Sequence, residues 1–354
     1  MEADTEGFLF PVIDTQSCIE CGKCRKICPA LHETEEIKPK KVFAAVNKNE
    51  EIRERSSSGG VFFELAKETI RNGGCVYGAR FTDDWSVRHV CAETLEEVMP
   101  LMKSKYVQSD VSACFAEIRL KLKLKQCVLF CGTPCQIAGL KAFLGHEYDN
   151  LFCIETCCHG VPSPKVWSKY LDEELSMYGI QKAELKNYSF RTKVDGQTEY
   201  KLVATDYLGN EFGKYFYQSA YMSGFLTNLT LRQSCMRCKA KKGRSGADIA
   251  LGDLWNSYKQ PPFNDSKGTC LVLAYTEKGV DALRKMDLQK AEIDFSYMNK
   301  SNSAFLIYQL PHPKRKEFFE RLDTGENVTS LLNELSPLSR YWRAVRRIIR
   351  MIQK

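Results

Sequence analysis

Residues 18–30 read CIECGKCRKICPA, a C-x2-C-x2-C-x3-C-P run. Cysteines at such intervals let one short loop reach three corners of an iron–sulfur cubane, and thiolates are the soft ligands that these clusters select. Cys18, Cys21, Cys24 and Cys28 are therefore the first metal ligands on offer. In bacterial ferredoxins the run comes twice, and its fourth cysteine serves the other cluster. Here it comes once, in a chain of 354 residues. Either Cys28 is left over, or an upstream half was lost or lies outside this numbering; the stretch DTEGFLFPVID reads like the middle of a two-cluster module and favours its loss. The remote fourth ligand of the cluster has no name from spacing alone.

The chain has 16 cysteines. Its N-terminus lacks the basic and apolar stretches of a secretory signal, and no run approaches the ~20 apolar residues of a membrane span. A cytoplasmic protein is expected, in which these thiols stay reduced and act as ligands or packing groups. A hydrophobic content of 44% and a charged content of 27% fit a soluble globular chain. The net charge of +7 is modest, its basic residues gather at 237–244 and at the C-terminus, and no nucleic-acid motif accompanies them. Nucleic acid is not an expected partner.

The organisation reads as α/β, with α+β character further along: an N-terminal ferredoxin-like 4Fe-4S segment at 1–36, a linker at 37–41, a main domain at 42–335 and a basic amphipathic helix at 336–354. KVFAAVN, CVYGARF, SVRHVCAE, QCVLFCG and NLFCIETCC read as strands, and GGVFFELAKETIRNGG, TPCQIAGLKAFLG and SPKVWSKYLDEELSMYG as helices between them. Beyond residue 184 strand patterns dominate, with a Leu-Gly-Asn turn and then ADIALGDLW and TCLVLAYT.

A second constellation is scattered: Cys135 in GTPCQ, Cys157 and Cys158 in ETCCHG, and Cys235 and Cys238 in SCMRC. Pairs and singles at strand ends can converge on one cluster, while C-x2-C at 235–238 can equally be half of a zinc site. Cys75, Cys91, Cys114, Cys127, Cys153 and Cys270 sit in apolar patterns and read as buried packing thiols; Cys131 stays open. RSSSGG before a helix suits a phosphate at the positive helix end, or else Ser58 is an N-cap. There is no GxGxxG. His159 reads as a structural histidine. In the tail, Trp342, Val345, Ile349 and Ile352 share a helical face opposite a row of arginines, a pattern open to peripheral membrane contact.

Taken in order, CIECGKCRKICP, SSSGGVFFELA, KSKYVQSD, VLFCGTPCQIAGL, CCHGVPSP, SFRTK and SCMRCKAKKGRSGADIALGDLW resemble the coenzyme F-420 hydrogenase/dehydrogenase beta-subunit family over nearly the whole chain. That family comprises iron–sulfur flavoproteins with FAD and one or more 4Fe-4S clusters. The resemblance implies a flavin domain at 42–335 and FAD contacts from Ser58, Gly59, Gly60, Lys105, Tyr106, Gln108, Ser109, Gly132, Thr133 and Pro134. It places Arg191 on FAD or substrate, and Cys135, Cys158, Cys235 and Cys238 on a cluster near the flavin. Asp248 and Asp253 match motif positions without an assigned role. The chain departs from the pattern in having one N-terminal cluster run instead of two, and an extra cysteine in ETCCHG, so that Cys157 and Cys158 compete as ligands. The implied activity is that of an oxidoreductase passing electrons between a ferredoxin-like protein, the clusters, FAD and a small two-electron substrate such as coenzyme F-420. An electron-transfer subunit without its own substrate, or an accessory protein of polysaccharide assembly, are the alternatives.

Overall fold

The structure, a computed structural model, describes residues 1–194, 199–255, 263, 265–297 and 302–336. From residue 337 onward the expected C-terminal helix lies outside the described residues.

Short elements open the chain: strands β1 (Glu2–Ala3) and β2 (Leu9–Phe10), then helix α1 (Lys23–Ile27) inside the cysteine run. The main body begins with β3 (Lys41–Asn47), α2 (Glu50–Glu54), α3 (Val61–Arg71), β4 (Cys75–Phe81), β5 (Val87–Ala92), α4 (Leu95–Val98) and α5 (Cys114–Lys123). It continues through β6 (Val128–Gly132), α6 (Pro134–Leu144), β7 (Leu151–Thr156) and α7 (Pro164–Met177). A β-rich stretch comes next: β8 (Leu185–Lys193), β9 (Tyr200–Asp206), β10 (Glu211–Tyr215), α8 (Ala220–Leu226) and β11 (Ile249–Asp253). The chain closes with β12 (Cys270–Ala274), α9 (Glu277–Lys285), β13 (Leu288–Glu292), α10 (Arg315–Asp323) and α11 (Val328–Leu335).

The expected mixed α/β architecture is present. Eight strands form one sheet in the order β13-β3-β12-β11-β7-β6-β4-β5. Its centre, β4-β6-β7-β11, is parallel, and both flanks are antiparallel. Parallel strands need cover on both faces, which explains the short apolar runs of β6 and β7. Val61, Leu65, Val280 and Leu283 from α3 and α9 pack in one core cluster, and Ile118, Leu122, Ile137 and Leu140 from α5 and α6 in another. A separate antiparallel sheet, β10-β9-β8, packs with α7, α8, α10 and α11 in a third cluster that contains Trp167, Tyr188 and Phe190.

Two helix starts near the centre of the fold are closed in different ways. Thr133 caps α6 in a capping box with Gln136, and Pro134 occupies the first turn, where its missing N–H costs nothing. Helix α3 instead starts at Gly60, which has φ +84° and no side-chain cap. Ser58 is thus not the N-cap: its hydroxyl donates to the Thr269 carbonyl at 2.8 Å.

The N-terminal segment is fastened to the body. Phe8 is buried in the core cluster of α7 and α10, and Arg315 makes a two-pronged ion pair with Glu6. The basic stretch 237–244 clasps the residues after the cysteine run. Lys239 Nζ donates to the Leu31 carbonyl at 3.0 Å, Arg244 pairs with Glu33 at 2.7 Å, and the Ile37 N–H donates to the Lys242 carbonyl.

Candidate functional site

In open α/β sheets a ligand sits beyond the carboxyl ends of the parallel strands. A cavity of about 1590 Å³ lies there. Cys131–Thr133 at the end of β6, Thr156–Cys158 at the end of β7 and Leu251–Asp253 of β11 line it, and so does the loop Lys103–Asp110. Pro29 and Ala30, next to Cys28, border the same space.

All 16 cysteines are free thiols. Four of them, from three separate stretches of chain, meet at this cavity: Cys135 in the first turn of α6, Cys158 after β7, and Cys235 and Cys238. Burial first, and then charge on Cys235, Cys135 and Cys238, pushes the Cys158 thiol well above its ordinary pKa. Burial and the neighbouring Cys135 and Cys238 push Cys235 up to about 12, and burial with Cys135 raises Cys238. Every pair within the four therefore interacts. The Val161 N–H hydrogen-bonds Cys235, and the N–H groups of Ala240 and Lys241 hydrogen-bond Cys238. Lys241, itself buried, lowers the pKa of both Cys158 and Cys238 by its charge. N–H donors and a nearby cation, whose Nζ here donates to the Ile307 carbonyl, are surroundings that stabilise thiolates. Among the described residues no three His, Cys, Asp or Glu side chains are grouped as a single metal ion requires.

The Cys157 thiol hydrogen-bonds Asn302 Oδ1 at 3.1 Å. Charge interactions join Cys158 to Cys135, Cys235 and Cys238, whereas those on Cys157 come from Asp253, Lys241 and Glu155. In the outer run Cys18, Cys21 and Cys24 are exposed and Cys28 is half-buried. Of the six thiols expected to be packing groups, Cys75, Cys114, Cys153 and Cys270 are buried, and Cys91 is half-buried. Cys127 corrects the expectation. It is exposed because it precedes β6, in the turn that leaves α5. His159 is held by Asn228 Oδ1 at 2.7 Å, as a structural histidine would be.

Of the residues that the family resemblance places on FAD, Ser58, Gly60, Lys105, Tyr106, Gln108, Ser109, Gly132, Thr133 and Arg191 line the cavity. Gly59 and Pro134 do not. A Cβ on Gly59 would lie 2.4 Å from the Ala45 carbonyl oxygen, so this glycine serves the backbone packing of the α3 turn. Pro134 is buried in the first turn of α6. Several of the others are already engaged. Gln108 exchanges hydrogen bonds with the Leu9 backbone at 2.8 and 3.3 Å, and the Lys105 ammonium donates to the carbonyls of Pro100, Met102 and Lys103.

The α3 end of the cavity carries two lysines whose charge burial disfavours, so that an anionic group beside them would favour their protonation. Burial lowers Lys103, and burial with the nearby Lys103 charge holds Lys105 down to about 7. Among the described residues neither forms an ion pair with a carboxylate. Ser57, which sequence reasoning passed over in favour of Ser58, lines the cavity beside Lys103, and its Oγ accepts the Ser104 N–H at 3.0 Å. Desolvated lysines at an uncapped helix start suit an anionic ligand group. Across the cavity Arg191, 5% exposed, pairs with Asp253 at 2.7 Å, and its guanidinium lies 5.0 Å from the Tyr200 ring centre and 5.3 Å from that of Trp255. Its Nε is buried and has no hydrogen-bond partner among the described residues.

Glu155, at the end of β7 beside Cys157, was not singled out by sequence. Burial pushes its pKa up to about 7, although hydrogen bonds from Ser245 and Tyr275 oppose the shift. A carboxyl that stays protonated in the folded chain favours folding at acid pH. That advantage is complete below the ordinary carboxylate range and is lost as pH rises through about 7. Glu155→Gln is expected to leave stability unchanged at pH 4 and to raise it at pH 8 by roughly 3 kcal/mol. Denaturant midpoints at the two pH values measure this, and an equal effect at both would remove the titration from the explanation.

Two models of one family, coenzyme F420 hydrogenase/dehydrogenase, match the chain. The one for the N-terminal part of the beta subunit covers residues 42–115, and the one for its C terminus covers residues 125–300. A 4Fe-4S single cluster domain of ferredoxin I matches residues 13–57. No curated protein matches. Among solved structures, a chain of the F420-reducing NiFe hydrogenase complex from Methanosarcina barkeri is similar at 14% identity and a TM-score of 0.49, over 90% of this chain and 96% of that one. That likeness is too slight to bear on function.

Proposed function

The chain belongs to the coenzyme F420 hydrogenase/dehydrogenase beta-subunit family and carries a ferredoxin-type 4Fe-4S segment, and from that premise we propose that it is an iron–sulfur flavoprotein oxidoreductase. The outer run Cys18, Cys21, Cys24 and Cys28 takes single electrons from a ferredoxin-like partner, for which its exposed thiols are suited. Cys135, Cys158, Cys235 and Cys238 hold an inner cluster. FAD, when bound in the cavity, supplies the conversion between single electrons and the two-electron chemistry of a small organic substrate.

The remaining work belongs to the chain's own side chains. Lys103, Ser57 and the open start of α3 bind the anionic part of the cofactor. Arg191, held flat by Asp253 between Tyr200 and Trp255, presents a cation to its ring or to the substrate. The clasp of Lys239, Lys242 and Arg244 fixes residues 31–37, which follow the outer run, to the stretch after Cys238. The cavity exceeds the 300–1,000 Å³ usual for one small ligand, which leaves room for cofactor and substrate together.

The observation that carries this reading is the meeting of Cys135, Cys158, Cys235 and Cys238 on one wall of a cavity whose edge also includes the residues next to Cys28. Anaerobic purification with iron, sulfide and flavin assays tests it. The expected content is about eight irons, in two cubanes, and one FAD per chain. Zinc without flavin in such a sample would replace this reading by a structural-metal one.

A further inference from the structure

His89 lies on β5, is 4% exposed and borders the cavity, with its ring stacked on Phe130 at 5.3 Å. No motif drew attention to it. Its Nε2 is 3.0 Å from the carbonyl oxygen of Cys131. A carbonyl only accepts, so Nε2 carries the ring proton. Burial holds the imidazole pKa down to about 4, so at neutral pH the ring has that one proton and no more. Nδ1 is therefore a bare acceptor. Ser109 Oγ lies 2.7 Å from it, and the Ser109 hydroxyl must be the donor.

The serine cannot easily turn away. Gln136 Nε2 donates to the Ser109 carbonyl at 3.3 Å, and Gln136 is itself oriented by the Thr133 N–H on its Oε1 at 2.9 Å. The next residue, Asp110, exchanges backbone hydrogen bonds with Val87 and His89 on β5, each 2.9 Å long. With its proton committed to the wall, Ser109 Oγ has only lone pairs for the cavity.

We propose that His89 is a positioning residue which makes Ser109 an acceptor-only contact, so that the part of the ligand seated there carries an N–H or O–H donor and not a phosphate or carboxylate. The inference rests on the flavin reading for the identity of the ligand, and adds to it a polarity. The donors that FAD owns away from its pyrophosphate are the isoalloxazine N–H and ribityl hydroxyls at one end and the adenine amino group and ribose hydroxyls at the other. Its pyrophosphate must then lie away from Ser109, which is consistent with the two lysines at the α3 end of the same cavity.

FAD binding to the anaerobically reconstituted full chain, followed by fluorescence quenching, tests this through Ser109→Ala, His89→Leu, His89→Asn and the His89→Leu/Ser109→Ala double variant. Ser109→Ala is expected to weaken FAD about ten-fold, the worth of one neutral hydrogen bond. His89→Leu frees the serine proton to face the ligand donor and is expected to cost about three- to five-fold, while His89→Asn, whose amide oxygen replaces Nδ1 as acceptor, stays within about two-fold of wild type. The double variant is expected to bind no more weakly than Ser109→Ala alone, because His89 acts only through Ser109. Full additivity of the two substitutions would make His89 a packing residue and overturn the proposal. So would Ser109→Ala binding FAD as tightly as wild type. A wild-type chain that takes up no FAD would sink the flavin reading itself, a failure visible before any variant is compared.

Discussion

Cys135→Ala is expected to halve the iron of the anaerobically prepared protein, from about eight atoms per chain to about four, and to leave the outer cluster's spectrum in place. The size of the effect follows from where the thiol sits. Cys135 is exposed in the first turn of α6, so its removal opens no core cavity and leaves the capping box of Thr133 and Gln136 intact. What it does remove is one corner of a four-thiol group whose other members, Cys158, Cys235 and Cys238, are held protonated by burial and mutual repulsion while no metal is present. Ligation has to displace those protons, and its free energy adds to the stability of the stretch that carries Cys235 and Cys238. Three ligands and a methyl group are a poor exchange for four, so the cluster goes as a unit. The loop 233–239 then becomes open to trypsin at Arg237 and Lys239. Cys157→Ala is the matched control. It lies next to Cys158 in sequence but faces Asn302, and it is expected to keep its iron. Retention of all iron by Cys135→Ala, with loss in Cys157→Ala, would show that the ligand set has been drawn wrongly.

How much of this was readable from sequence differs between levels of structure. The parallel centre was legible, because VLFC and LFCI are short apolar runs of strand type, each followed by a helix start with proline in the first turn. Such runs belong to strands covered on both faces. The position of the cavity followed from that, since ligands gather at the carboxyl ends of such strands. By contrast β13, LQKAE, has no apolar alternation to betray it and becomes a strand only by pairing with β3. The exposed thiol of Cys127 was misread because its apolar neighbours belong to β6 while it lies one turn earlier.

Side-chain direction was the level that sequence could not supply. Three serines in a row before α3 look interchangeable. All three border the cavity, but the Ser58 hydroxyl turns to a carbonyl 211 residues away, while Ser57 meets Ser104, 47 residues away. Gln108 was placed on the cofactor by resemblance, yet its amide holds the Leu9 backbone, a contact between segments 99 residues apart. Contacts of this range are properties of the folded chain, and neither propensity nor spacing encodes them. The same applies to His89 and Glu155, whose unusual protonation comes from burial.

Asp253→Ala is expected to cost about 3–5 kcal/mol of folding stability, the loss typical of a buried ion pair broken on one side. Arg191 and Asp253 are 2.7 Å apart with side chains 6% and 13% exposed. Their net worth as a pair is small, because both ions were taken out of water to make it. Removing only the carboxylate is another matter. It strands a guanidinium that cannot deprotonate, and whose Nε already lacks a partner among the described residues. The Tyr200 and Trp255 rings, at 5.0 and 5.3 Å, offset part of that loss through cation–π attraction, of the order of 1–2 kcal/mol where solvent is excluded. Arg191→Met combined with Asp253→Ala is therefore expected to recover most of the stability lost in Asp253→Ala, since an apolar side chain of similar length suits the aromatic wall. Chemical denaturation of the metal-free chain reads both values. A loss below about 1 kcal/mol in Asp253→Ala would mean that water reaches the guanidinium and that the pair behaves as a surface one. The double variant separates two duties of Arg191 as well: regained stability with lost flavin affinity would mark the arginine as a ligand contact whose burial the fold tolerates only because Asp253 accompanies it.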